Sequence, residues 1–175
     1  LYAKQKDYFK AMEEYSKALA IRKAINNARG IASTISNIAL LYEYENNYTK
    51  ALEMQVRSLA IDDSIQNKYG AAWSKQMIGA LLMKMNRMQD ALQYLNEAES
   101  EATNLDAREI LLQVFKSKGQ LYSKQKKLEE ALQYAEAYNA LRDSIYDSGL
   151  AGKVMLLQQS YEMNERDKTI LLQEA

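Results

Sequence analysis

The stretch "NNYTKALEMQ", Asn46–Gln55, has close counterparts at a fixed spacing of 40 residues. They read "KDYFKAMEEY" from Lys6, "NRMQDALQYL" from Asn86 and "KKLEEALQYA" from Lys126. In every copy the sixth position is alanine and the third is aromatic or apolar. These positions hold Ala11, Ala51, Ala91 and Ala131, and Tyr8, Tyr48, Met88 and Leu128. A motif that recurs at a period of this size indicates a stacked repeat architecture.

Each repeat contains two amphipathic segments separated by a polar turn. Apolar residues recur at i, i+3, i+4 and i+7 between Ile35 and Tyr42, and a second apolar stripe runs from Tyr48 to Ile65. Asn46-Asn47 interrupts the pattern, and asparagine tolerates left-handed backbone geometry. The pattern predicts a helix at 8–27, followed by helix pairs at 30–45 with 48–67, 70–85 with 88–104, and 107–125 with 128–146.

Local signals predict how these helices begin, end and meet. Gly70 lies just beyond the second stripe, where a glycine commonly stops a helix. Asp106, with Glu109 three residues later, predicts a capping box at the start of the third pair. The repeated alanines are expected where paired helices approach most closely, because a larger side chain would force them apart.

The composition argues against several functional classes. The chain has no cysteine and no histidine, so a Ser-His-Asp arrangement is impossible and the commonest metal ligands are missing. We therefore expect no enzyme, metal or cofactor. Lys and Arg balance Asp and Glu at 23 each, which gives no support for nucleic-acid binding. No apolar run approaches the roughly 20 residues of a membrane span. Three acidic pairs are predicted to be solvated, because neighbours on a helix point in different directions. They are Glu13-Glu14, Asp62-Asp63 and Glu129-Glu130.

The repeat resembles the tetratricopeptide repeat (TPR) family, whose signature begins W-x2-L-G-x2-Y and continues A-x3-F. The first half appears as Ile35-x2-Ile38-Ala39-x2-Tyr42 and as Phe115-x2-Lys118-Gly119-x2-Tyr122, and Gly79 holds the glycine position of the copy between them. The resemblance implies an all-α fold, a right-handed α-α superhelix of antiparallel helix pairs with a C-terminal extension helix. The expected divisions are a TPR array at 1–149 (a half repeat at 1–28 and repeats at 29–68, 69–106 and 107–148) and a capping or linker helix at 150–175.

In this architecture the binding surface is expected on the concave face, which the first helix of each pair forms. The helical wheel places seven candidate contacts there: Asn37, Tyr44, Trp73, Gln76, Met83, Lys116 and Gln120. Trp73 could anchor a peptide, and the alternative is simple burial against a neighbouring hairpin. The motif alanines and tyrosines, with Gly79 and Gly119, are interpreted as structural residues.

The C-terminal stretch has a second resemblance, to the junction in bacterial TPR sensor proteins of the Bacteroidetes type. Arg142-Asp143-Ser144-Ile145, Tyr161-Glu162 and Ile170-Leu171-Leu172 carry it. The segment from Leu150 is interpreted either as a cap on the last repeat or as a helix that pairs with a second copy to form a homodimer.

These resemblances imply a non-catalytic module that binds a protein or peptide. Such a module would be the signal-input region of a two-component sensor or transcriptional regulator, and would be periplasmic if membrane-anchored and otherwise cytoplasmic. The alternative is a free-standing scaffold without signalling output.

Overall fold

The computed structural model describes residues 8–173, with side chains for 8–149, Met155 and Gln159. The described part is helical throughout and contains no strand, which confirms the predicted all-α fold. The helices are α1 (Tyr8–Ala24), α2 (Ala28–Tyr44), α3 (Tyr48–Ser64), α4 (Lys68–Lys84), α5 (Met88–Asn104), α6 (Arg108–Lys124) and α7 (Leu128–Gln173). None of the described helices is long and apolar enough to cross a membrane.

The turns between the helices share one geometry. Helices α1 to α6 have 17 residues each, about 25 Å in length. The three-residue turn after α2 is typical: the Asn47 N–H donates to the Tyr42 carbonyl at 2.8 Å and the Asn46 N–H to the Glu43 carbonyl at 2.9 Å. This pair of bonds is the Schellman motif, which uses the last carbonyls of the helix. The left-handed residues recur every 20 positions, at Asn26, Asn46, Gln66, Asn86, Asp106 and Lys126.

Three local predictions were wrong. Gly70 does not stop a helix, because it lies inside the first turn of α4. Asp106 is not an N-cap, because it takes the left-handed turn position with φ 48° and Ala107 is the residue that precedes α6. The helix predicted to end near 146 continues as α7 to Gln173. The regular three-residue turn determined the first two boundaries, and α7 has no such turn near residue 146.

The chain forms two compact units, Leu1–Ala135 and Glu136–Ala175. Within the first unit, consecutive helices pack on one another, and α4 also contacts α2 and α6. The described part of the second unit consists of residues of α7. The division predicted at 149/150 stays a prediction. The side chains of Leu150 and of the other residues expected to form a cap or a dimer seam lie outside the described side chains.

Two apolar clusters stabilise the middle of the first unit. One joins α4, α5 and α6 through residues such as Ile78, Leu95 and Leu121, and the other centres on Ile110 and Val114. Between α2, α3 and α4 the interior also contains hydrogen-bonded polar side chains. At the repeat position of Leu95 stands Gln55, whose side-chain amide donates to Ser36 at 3.1 Å and lies 3.5 Å from the Ser74 hydroxyl.

The motif alanines and glycines lie near the helix contacts. Ala51 and Ala91 are completely buried, Ala11 is buried and Ala131 is half-buried. A Cβ atom added to Gly79 would lie 2.7 Å from the side chain of Leu95. Because no real Cβ contact is that short, α4 can approach α5 this closely only with glycine at position 79.

Candidate functional site

Two pockets lie side by side on the face that α2, α4 and α6 form. The first, the α2–α4 pocket, has a volume of about 390 Å³. The second, the α4–α6 pocket, has a volume of about 290 Å³. Trp73 lines both pockets and therefore stands between them. The two pockets make a divided groove across three helices, each helix being the first of its pair.

The structure brings five of the seven predicted contacts to this groove. Asn37 and Trp73 line the α2–α4 pocket, and Trp73, Gln76, Lys116 and Gln120 line the α4–α6 pocket. Trp73 is half-buried and also packs against the cluster around Ile110. The same side chain therefore contributes both to the pocket surface and to the core.

The other two predicted contacts lie elsewhere. Tyr44 is exposed at the end of α2 and lines neither pocket. Met83 is buried and packs with Ile78 and Leu82 in the apolar cluster of α4 and α5. Met83 is therefore a core residue.

Gln76 is unusual among the residues of the α4–α6 pocket. Only 4% of it is exposed, and its side-chain oxygen Oε1 has no hydrogen-bond partner among the residues that the structure describes. A buried acceptor without a partner costs about 1–3 kcal/mol relative to a paired one. A donor group on a bound ligand would remove that cost. Lys116 and Gln120, which are exposed on α6, border the same pocket.

The α2–α4 pocket contains a buried acid that the sequence interpretation missed. Asp62 was predicted to be solvated with Asp63, but it is 4% exposed and only Asp63 faces solvent. Its carboxylate accepts a hydrogen bond from the Asn67 side-chain amide at 2.7 Å. Burial raises the pKa of the Asp62 carboxyl above its usual value, and the hydrogen bond from Asn67 opposes that shift.

Gly70 makes room for this acid. A Cβ atom at Gly70 would lie 2.5 Å from the carboxylate of Asp62. The same relation occurs one repeat earlier, where a Cβ at Gly30 would meet the Arg22 side chain at 2.9 Å. Arg22 donates to the Gly30 carbonyl at 2.8 Å. The glycines at positions 30 and 70, which are 40 residues apart, therefore indicate that a polar side chain of the preceding helix packs against the helix that contains the glycine.

Other pocket residues were also missed. They are polar side chains of α2, α3, α4 and the turn before α4: Arg29, Ser58, Asn67, Tyr69 and Ser74. Ser36, Ser58 and Ser74 are buried and belong to the polar interior around Gln55. A third pocket of about 470 Å³, at the turn before α4, shares Asp62 and Asn67 with the α2–α4 pocket.

Among the described residues no group of three or more acidic side chains could hold a metal ion. The groove offers amides, hydroxyls, one tryptophan and single charges, which are groups suited to recognition by hydrogen bonds and stacking.

Comparison with known proteins agrees with this architecture. Residues 1–64 match the family model described as tetratricopeptide repeat. A search of curated proteins gave no significant match. The crystal structure of BtubC (BKLC) from P. vanneervenii superposes with a TM-score of 0.73 over 82% of this chain at 21% identity. The chain has a TPR-like repeat fold.

The apo form of RapI is a second structural neighbour of this chain. It superposes with a TM-score of 0.56 over 83% of this chain at 16% identity. The chain spans 59% of the BtubC chain and 66% of the RapI chain. At these identities the likeness concerns the fold alone. TPR-like repeats generally mediate interactions between proteins, which is the broad function that the architecture supports.

Proposed function

We propose that the groove on α2, α4 and α6 binds a segment of a protein or peptide without catalysing a reaction. The observation that carries this proposal is the pair of pockets that meet at Trp73. Tryptophan is enriched among residues that dominate binding energy, because it offers a large rigid surface with a polar N–H. The unpartnered acceptor of Gln76 lies in the same groove and can receive a backbone N–H from an extended chain.

A selection experiment tests this proposal. Twelve-residue peptides selected on the whole chain from a random library are expected to bind at the groove. Trp73→Ala should weaken the selected peptides by at least about tenfold. Lys116→Ala changes an exposed side chain of the same groove and should also weaken binding without loss of fold. Val56→Ala, on an exposed position of α3 outside both pockets, is the matched control and should bind as the wild type does.

The binding proposal fails if no peptide is selected, or if the selected peptides bind both groove variants with unchanged affinity. The second result would place any interaction on another surface of the TPR array.

We further propose that the chain is the signal-input region of a bacterial sensor or transcriptional regulator. The resemblance of the C-terminal stretch to a sensor junction supports this interpretation, and the Arg142-Asp143-Ser144-Ile145 part of it lies within the described helix α7. The coding sequence that follows Ala175 tests it. A run of about 20 apolar residues followed by a kinase core, or a DNA-binding domain, is expected. A stop codon shortly after Ala175 would leave the scaffold interpretation in its place.

A further inference from the structure

Comparison of equivalent positions in the repeats shows which residues the packing of the helices requires and which it does not. Side chains needed to stack the hairpins recur every 40 positions, as the motif alanines do. Asp62 does not recur: its counterparts are Arg22 in the preceding repeat and Ala102 in the following one. Ala102 is completely buried in an apolar cluster. The fold therefore accepts an apolar residue at this position, and a buried acid there needs another explanation.

Trp73 and Tyr69 also depart from the repeat. Trp73 corresponds to Ser33 and Gln113, and Tyr69 corresponds to Arg29 and Glu109. Both aromatic side chains line the α2–α4 pocket together with Asp62. Three residues that the repeat does not require thus meet in one cavity of about 390 Å³.

These three side chains together favour a positively charged group on the ligand. Asp62 is 4% exposed, and among the described residues no lysine or arginine nitrogen lies within 4.0 Å of its carboxylate. A buried carboxylate without an ionic partner is stabilised strongly when a cation joins it. Aromatic rings such as those of Trp73 and Tyr69 attract cations to their faces.

We propose that the segment bound in the groove carries a lysine or arginine side chain that enters the α2–α4 pocket and pairs with Asp62, beside Trp73 and Tyr69. This inference rests on the proposed function, because it names the chemical class of the bound segment. It adds a specificity determinant that the groove geometry alone does not supply.

Arg29 gives the proposal a distinctive consequence. Its exposed side chain lines the same pocket, and its positive charge acts on the Asp62 carboxylate from outside ion-pair distance. That charge repels a ligand cation that approaches Asp62. Removal of the Arg29 charge should therefore tighten binding of a basic peptide. A zwitterionic ligand, which would use Arg29 as a partner for its own carboxylate, would bind more weakly after the same change.

A positional library tests the proposal. Decapeptide mixtures with lysine, arginine, norleucine or glutamate fixed at each position are measured for binding to the whole chain. We expect preference for a basic residue at one position. The best lysine peptide and its norleucine counterpart are then titrated calorimetrically into the wild type, Asp62→Asn, Asp63→Asn and Arg29→Gln.

In the wild type, replacement of lysine by norleucine should weaken binding by at least about tenfold, as expected for a hydrogen bond to a charged group. In Asp62→Asn the two peptides should bind equally, and binding of the norleucine peptide shows that the variant is folded. Asp63→Asn changes an exposed neighbour that lines the third pocket, at the turn before α4, and should match the wild type. Arg29→Gln should tighten the lysine peptide two- to fivefold, roughly the effect of one partly screened charge.

Several results would overturn the proposal while leaving the groove as a peptide site. They are binding without preference for a basic residue, a lysine preference that persists in Asp62→Asn, an equal loss in Asp63→Asn, and weaker binding in Arg29→Gln. Failure of every peptide mixture to bind would contradict both this proposal and the proposed function.

Discussion

The buried lysine of the last repeat offers a sharp test of the energetics. Lys118 stands where the two preceding repeats have Ile38 and Ile78, and its side chain is 4% exposed. Its ammonium group forms a salt bridge with Glu99 and donates to the Tyr134 hydroxyl at 2.8 Å. It also lies 4.7 Å from the centre of the Tyr134 ring. The three side chains tie α5, α6 and the start of α7 together.

The two partners of this salt bridge should respond unequally to substitution. Glu99→Gln leaves a positive charge buried, and loss of one partner of a buried pair costs about 3–5 kcal/mol. Because the Glu99 side chain is 27% exposed and partly screened by solvent, we expect a loss of about 2–3 kcal/mol. Lys118→Met leaves Glu99 near solvent and fills the site with an apolar chain like Ile38 and Ile78. Its effect should lie within about 1 kcal/mol of zero.

Urea unfolding, followed by circular dichroism and by fluorescence of the single tryptophan, measures both variants. The double variant Lys118→Met/Glu99→Gln should resemble Lys118→Met, because neither then leaves a buried charge. Burial by itself would lower the pKa of Lys118, but the hydrogen bonds to Glu99 and Tyr134 outweigh it and raise that pKa above its usual value. The contribution of the salt bridge is therefore complete from neutral pH to about pH 10 and is lost as the pH rises through the raised pKa. The reasoning is refuted if Lys118→Met costs as much as Glu99→Gln, or if the double variant is the least stable of the three.

Three further predictions concern single positions and are checked by urea or thermal unfolding. Gln66→Gly should stabilise the fold by about 0.5–1 kcal/mol, because glycine avoids the left-handed strain of this turn position at some entropic cost; equal stability would contradict it. Gly79→Ala should lower the free energy of unfolding by about 1–3 kcal/mol, because the new Cβ atom would clash with Leu95. In Gly119→Ala the nearest neighbours of the new Cβ atom would lie at 3.7 Å, so the better helix former should stabilise the fold by about 0.5–1 kcal/mol. Burial raises the pKa of Asp62, so the wild type should lose stability as the pH rises from about 4 through the raised value. Asp62→Asn should lose less stability between pH 4 and 7. Parallel plots of stability against pH for the two proteins would refute this.

The sequence predicted what depends on local geometry. The 40-residue period, the helical stripes and the asparagine turn at Asn46-Asn47 all follow from short-range rules, and the structure agrees with them. The sequence did not show that the period divides into two equal halves of 20 residues. Gln66 and Lys126 occupy the same left-handed position as Asn46 without being typical of it. The fold imposes the turn at these positions, so composition alone could not locate it.

The candidate site was predictable only where a helical wheel suffices. The groove is lined by Asn37, Trp73 and Gln76, because residues three or four apart share a helix face. Met83 does not line it, because it is buried in the apolar cluster of α4, α5 and α6. Asp62 was missed because its burial depends on the glycine of the next helix, a contact that no local pattern describes.

Asp62 and Lys118 show how a repeat protein distinguishes stability from recognition. Asp62 stands where the following repeat has Ala102, and Lys118 stands where the two preceding repeats have Ile38 and Ile78. Both charged residues are buried. Lys118 meets a carboxylate and a hydroxyl within the protein, so its charge is balanced internally and holds helices together. Asp62 receives a neutral amide hydrogen bond and no cation within ion-pair distance among the described residues. A charge that the fold balances serves the fold, and a charge that the fold leaves unbalanced beside an open pocket is available to a ligand.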